Sequence, residues 1–183
     1  MRTPSTDDIR DLIERLGRIS TADEWADGLN PTQRAALSYL SRANRFSRAP
    51  SHVADFLTAT RGTVSQTLKA LARKGLIEET RSQTDRRSIS YTPTRQGQNL
   101  LKRTTDFDHA LEQLPASVRK AISDSLKELV RATLQARGNK QFGQCKACRH
   151  HQRRGANGYC SLLNEDLSDN EVSQICHEFE QAA

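Results

Sequence analysis

The stretch TRGTVSQTLKALARKGLIEETRSQTDRRSISYTPTRQG, residues 60–97, decides the fold. Thr60 is placed to cap a helix, and Val64, Leu68 and Leu71 follow at spacings of four and three, the stripe of a helix that buries one side. Arg61, Thr63, Ser65, Gln66 and Lys69 fall largely off that stripe, near the beginning of the helix. Gly75 can take the left-handed conformation that ends a helix, with Leu76 making the hydrophobic contact after it. Leu76–Arg81 and Arg87–Thr92 then read as two strands, since Ile89 and Tyr91 alternate with Ser88, Ser90 and Thr92. Residues 82–86 form the tip, Pro93 ends the second strand, and Thr94 caps another helix. A polar-faced helix followed by an arginine-tipped hairpin is the pattern of a winged helix-turn-helix.

Upstream, Pro50-Ser51 opens a short helix with Ser51 as its cap and Val53, Phe56 and Leu57 inward, and Thr58-Ala59 makes the turn. Asn30-Pro31-Thr32-Gln33 starts the helix before that, with Asn30 capping, Pro31 at the first position and Gln33 at the third. It runs to about Asn44, with Ala36, Leu37 and Leu40 inward. Residues 21–29 read as loop anchored by Trp25 and Leu29. Residues 5–19 form an amphipathic helix with Ile9, Leu12, Ile13, Leu16 and Ile19 on one face.

Downstream, the helix capped by Thr94 is expected to run through Leu100, Leu101, Phe107, Ala110 and Leu111. Pro115 starts the next, with Val118, Ile122, Leu126, Leu129, Thr133 and Leu134 on its stripe and Gly138 at its end. The first and last helices thus carry apolar stripes with no obvious partner inside a small winged domain. The expected fold is mainly α with a small β-wing. Residues 1–29 would be an N-terminal dimerisation helix and loop, 30–97 the DNA-binding domain, 98–138 the C-terminal dimerisation helices, and 139–183 a small cysteine module.

Charge points the same way. Residues 41–103 hold 13 Lys/Arg against 4 Asp/Glu, whereas residues 1–40 hold 5 against 7 and residues 138–183 hold 5 against 6. A positive excess confined to the segment with the helix-turn-helix pattern suits a nucleic-acid face better than a general solubilising surface. The opening turns of a recognition helix reach base edges in the major groove, where Arg pairs with guanine and Gln with adenine. Arg61, Thr63, Ser65, Gln66 and Lys69 are the candidates there, and Arg81, Arg86 and Arg87 on the hairpin suit a minor groove or its flanking phosphates.

DRRSISYTPTRQG, Asp85 to Gly97, resembles the wing signature of the MarR family of transcriptional regulators, D-x-R, five residues, then L-T-x-x-G. Asp85, Arg87, Thr94 and Gly97 match, while Pro93 stands where the signature has leucine. LNPTQRAALSYL and TRGTVSQTLKALARKGLIEE resemble the corresponding family helices, and the likeness runs from about Ile9 to Arg137. The resemblance implies an obligate homodimer joined by its first and last helices, bound to a pseudo-palindromic double-stranded operator and most often repressing. It also implies that Arg86 or Arg87 enters the minor groove while Asp85 steadies the wing arginine.

The tail departs from that family. Cys145, Cys148, Cys160 and Cys176 have the spacing C-x2-C-x11-C-x15-C, with His150, His151 and His177 nearby, and no cysteine occurs earlier. Three readings compete: a four-cysteine iron–sulfur cluster, with 4Fe–4S the favoured form; a structural zinc site, more often built from two paired knuckles; and free thiols that switch by forming disulfides. Iron–sulfur is the favoured cofactor and zinc the alternative. Phe142, Tyr159, Leu162, Leu163, Leu167, Val172, Ile175 and Phe179 could make a core too small to hold without a metal.

No apolar run approaches the roughly 20 residues that cross a bilayer, and the acidic N-terminal stretch is no secretory signal. The expected compartment is the cytoplasm, where thiols stay reduced. There is no nucleotide-binding glycine loop and no nucleophile motif, so an enzyme or electron carrier working at the cysteines is the second class of reading. A small-molecule pocket near Trp25 and Tyr39 is a third, although such aromatics more often belong to a core.

Overall fold

The computed structural model describes residues 3–24, 28–81, 89–155 and 157–182. Helix α1 spans Thr6–Glu24, five residues beyond the expected boundary, and Gly28 follows with a φ of +69°. Helix α2 spans Pro31–Arg42. Asn30 accepts the Gln33 N–H at 2.8 Å while the Gln33 side chain returns to the Asn30 N–H, a complete capping box. Helix α3, Pro50–Leu57, is capped at Ala49 with no side-chain bond; Ser51 lies inside the helix, because Pro50 already takes the first helical position.

Thr58 turns the chain with φ of +51°, and α4, Arg61–Arg73, starts from Thr60, whose hydroxyl accepts the Thr63 N–H at 3.1 Å. Its end follows the expectation: Gly75 has φ of +68°, and the Leu76 N–H reaches back to the Leu71 carbonyl at 3.0 Å.

Strands β1, Ile77–Arg81, and β2, Ile89–Pro93, pair antiparallel, with Ile77 opposite Pro93 and Arg81 opposite Ile89. Pro93 is the buried last residue of its strand. Thr94 then makes a three-way junction: its N–H bonds the Leu76 carbonyl, its hydroxyl donates to the Gly75 carbonyl at 2.7 Å and accepts from the Gly97 N–H at 3.2 Å.

The single helix expected after Thr94 is two, α5 (Arg95–Leu101) and α6 (Asp106–Gln113). Thr105 and Asp108 form a capping box that starts α6 afresh, a signal present in the sequence and overridden by its apolar periodicity. Helix α7 spans Ala116–Ala136, and Gly138 follows with φ of +63°.

The main core joins Leu37, Tyr39 and Leu40 of α2, Val53 of α3, Val64, Leu68 and Leu71 of α4, and Leu76, Ile77 and Tyr91 of the hairpin. By contrast, Ile9, Leu12, Ile13, Leu16 and Ile19 of α1 and Val118, Ile122, Leu126, Leu129 and Val130 of α7 are exposed in the single chain. Among the described residues no helix is long and apolar enough to cross a membrane.

The tail is folded. Strand β3 (Gly143–Gln144) pairs with β7 (Ile175–Cys176), and β4 (His151–Arg154), β5 (Asn157–Cys160) and β6 (Glu165–Leu167) form an antiparallel meander, with a short helix α8 (Asp169–Val172) between β6 and β7. Its apolar residues divide. Leu167 and Phe179 pack with the cysteines, Phe142 and Ile175 join the winged-helix core, and Leu162 is exposed. The tail therefore completes the winged-helix unit's core as well as making one of its own.

Candidate nucleic-acid interface and cysteine centre

Helix α4 sorts its side chains as a groove-reading helix needs. Val64, Thr67, Leu68 and Leu71 are buried, which leaves Arg61, Thr63, Gln66 and Lys69 exposed and Ser65 half-buried. Helix α3 packs across it to complete the helix-turn-helix. Gln66, Lys69 and Arg73 of α4 face Glu79 and Tyr91 of the hairpin across a shallow cleft. Arg73 was absent from the sequence-level candidates, although it lies four positions beyond Lys69, one turn along the same helix.

Arg81 is exposed and also paired within the hairpin, a contact the sequence does not announce. Its Nε donates to Glu79 at 2.9 Å, and the Tyr91 hydroxyl donates to the other oxygen of Glu79 at 2.8 Å. The Tyr91 bond first and Arg81 second hold the Glu79 carboxyl below its ordinary range. Burial, then the bond to Glu79, pushes the Tyr91 phenol up to about 12. The remaining wing candidates, Asp85, Arg86 and Arg87, lie outside the described residues, as does Trp25. Tyr39, paired with Trp25 in the pocket reading, is fully buried and donates its hydroxyl to the Ser47 carbonyl at 2.7 Å, so it belongs to the core.

The four cysteines share one packed cluster with Leu167, Phe179, Phe46 and Val172. Cys145 opens a tight 3-10 turn, Cys145–Ala147, and the Cys148 N–H bonds back to the Cys145 carbonyl at 2.9 Å, so the two thiols leave from one bend. Cys160 ends β5 opposite His151, and Cys176 ends β7 opposite Gly143. Gly143 has to be glycine here, since a Cβ would stand 2.7 Å from the Phe179 ring.

Donors converge on the sulfurs. The buried Asn44 amide reaches Cys145 Sγ at 3.4 Å, and the Glu180 N–H reaches Cys148 Sγ at 3.5 Å. Cys145 and Cys176 are coupled: their mutual interaction holds Cys176 below the usual thiol range and, together with burial, drives Cys145 above it. Asn44, Ser47 and the Glu178 backbone act on Cys176 in the same downward direction. Among the described residues no group of three or more His, Cys, Asp or Glu side chains is drawn together as if around a metal ion. What suits a metal is the donor chemistry: four thiols in one cluster, with N–H groups aimed at sulfur.

The tail is seated on the corner between α2 and α3, a contact no local sequence signal announces. Ala43 bridges Ile175, and the Asn44 N–H bonds the Ile175 carbonyl at 2.9 Å. Ser47 Oγ accepts the His177 N–H at 2.8 Å. The His177 ring stacks on His52 at 3.8 Å, and its Nε2 meets Asp55 Oδ2 of α3 at 3.1 Å. Arg45 pairs with Glu171 and Glu165 and donates to the Asp166 carbonyl.

A helix-turn-helix followed by a two-stranded wing, between terminal helices with bare apolar stripes, defines a winged-helix fold of the DNA-binding class. More narrowly, residues 27–88 match the model of the MarR family, so the chain carries a MarR-type winged-helix unit. Proteins of that family are transcription regulators, not enzymes. The fold is similar to a MarR transcriptional regulator from Methanosarcina mazei Go1, with a TM-score of 0.59 and 20% identity over 72% of this chain and 99% of that one. It is also similar to S. aureus MepR in a DNA complex, at a TM-score of 0.55 and 19% identity over the same shares. Streptococcus pneumoniae FabT in complex with DNA gives a TM-score of 0.56 and 21% identity, again over 72% and 99%. No curated protein sequence matches the chain.

Proposed function

We propose that this protein is a homodimeric, sequence-specific DNA-binding transcriptional regulator, acting as a repressor at a pseudo-palindromic operator, with binding tuned by the four-cysteine centre. The observation that carries the reading is α4: its apolar residues are buried, and Arg61, Thr63, Gln66 and Lys69 are turned to solvent within the segment that matches the MarR model. Arg61 and Gln66 are the base readers, with Thr63 and Ser65 beside them, and Lys69 holds phosphate. Arg86 or Arg87 enters the minor groove, with Asp85 steadying the wing arginine, and Arg81 contacts the flanking phosphates. The exposed stripes of α1 and α7 are covered by a second copy, which sets two recognition helices one DNA turn apart.

Cys145, Cys148, Cys160 and Cys176 would hold an iron–sulfur cluster, with zinc as the alternative ligand of the same thiols. Their clustering and the N–H groups at sulfur support the reading. An iron–sulfur group would supply one-electron redox sensitivity, and zinc a cross-link without redox chemistry.

The test is anaerobic purification with iron, sulfide and zinc analysis, then anisotropy titration of the chain's own promoter DNA at several salt concentrations. A specific binder loses affinity steeply with salt, and Lys69→Ala should flatten the slope by about one counterion. Salt-independent binding, or equal affinity for scrambled DNA, rules the DNA reading out.

A further inference from the structure

We propose that the corner Asn44–Ser47 is the path by which the cysteine centre and helix α3 sense each other, with Asn44 and Ser47 as positioning residues for the sulfurs. The inference rests on the cysteine-centre reading but names a route that differs from the one chain order suggests. In sequence the tail follows α7, so a dimerisation helix looks like its transmitter. In space the sulfurs are gripped from the other side.

Asn44 and Ser47 are fully buried, and both belong to the DNA-binding unit. The Asn44 amide donates to the Cys145 sulfur at 3.4 Å. The backbones are tied as well, Asn44 N–H to the Ile175 carbonyl and His177 N–H to Ser47 Oγ. His177, next to Cys176, continues the contact onto α3 through Asp55 and His52. Helix α3 packs on α4, so any shift of the sulfurs bears on the recognition helix through a short chain of buried groups. Helix α7 has no buried residue in the single chain through which to pass such a shift. The Asn44 side-chain oxygen Oδ1 is itself buried without a partner, so its amide is held toward sulfur at a cost in unmet hydrogen bonding.

Coupling between two sites is reciprocal: if the sulfurs influence operator binding, operator must influence the sulfurs by the same factor. The full chain is purified and one half stripped of metal; iodoacetamide is applied with and without operator DNA, and alkylation of each cysteine is followed by peptide mass spectrometry. Operator should change the rate at the buried Cys145 and Cys176 by about 5-fold or more, and much less at the more accessible Cys148 and Cys160. In Asn44→Leu and Ser47→Ala that effect should disappear, with Asn44→Gln restoring part of it. Two glycines inserted after Gly138, which uncouple α7, should leave it intact.

Because Asn44→Leu could fail to fold, the insertion is read in the otherwise native chain. An insertion that abolishes the effect assigns the route to α7 and overturns the proposal, as does a full effect in folded Asn44→Leu and Ser47→Ala. Equal operator effects at all four cysteines mean simple shielding and overturn it too. Absence of iron and zinc from the purified chain defeats the metal reading alone, since the alkylation experiment then reads free thiols.

Discussion

Gly97 at the start of α5 rests on the backbone carbonyl of Leu76 so closely that a Cβ there would overlap its oxygen and stand 3.1 Å from Leu37 Cδ1. The obstacle is mainly backbone and cannot swing aside. Gly97→Ala should therefore destabilise the fold by about 1–3 kcal/mol, the range of an overpacked core. Urea denaturation of the two proteins checks this, and coincident midpoints would refute it.

The exposed stripes on α1 and α7 make a separable prediction. Leu12 is 61% exposed in the single chain, so Leu12→Glu should leave the protomer folded. If the stripe is the dimer seam, the substitution should halve the mass seen by light scattering and weaken operator binding at least tenfold through loss of the second half-site. A dimer of unchanged mass would place the seam elsewhere.

His52 predicts a pH dependence. Burial first, then the charge of His177, holds its imidazole down at about 4, with Lys140 adding to the effect and Glu178 and Asp55 opposing it. A histidine kept neutral by folding takes up its proton more readily when unfolded. Its contribution is complete above about pH 6.5 and is lost as pH falls toward 4. Stability should decline across that window in the native chain and less steeply in His52→Gln; parallel pH profiles would contradict this.

Phe142 stands edge-on to Tyr39 at 6.0 Å and to Phe56 at 5.2 Å. Phe142→Ala should cost about 2–3 kcal/mol, less than a fully buried phenylalanine because the residue is half-buried. Tail and winged-helix unit should lose stability together, in one calorimetric transition. Two resolved transitions, with only the tail's lowered, would mean that the two cores are independent.

Metal removal extends the same reasoning. If the four thiols hold a metal, chelation should speed amide exchange in the tail strands without unfolding them, leave α4 unchanged, and raise exchange at Asn44 and Ser47, whose partners lie in the tail. Unchanged exchange in residues 143–181 after complete metal loss would count against a metal-built tail.

Much of the winged-helix unit was legible because its signals are local. The Asn30–Gln33 box, Pro50, the Thr60 cap, Gly75 and the alternation through Ile89 and Tyr91 each act within a few residues. The misplaced boundaries are also local: Ser51 yielded the helix start to Pro50, and Thr105–Asp108 cut a helix that apolar spacing had joined. What the sequence could not display is contact between distant segments. Nothing near Asn44 or Ser47 announces a sulfur or a histidine more than a hundred positions away, and nothing near Phe142 or Ile175 tells which core each will join. Arg81 shows the same limit at short range, since its basic character was readable and its pairing with Glu79 was not.

The grip of Ser47 on the His177 N–H has a consequence for how the molecule is made. The two residues are 130 positions apart. During synthesis α1 to α4 are complete long before residue 177 leaves the ribosome. The corner beside α4 therefore stays open until residues 175–177 have emerged, and a product stopped short of Ile175 would carry α4 on an unfinished mount.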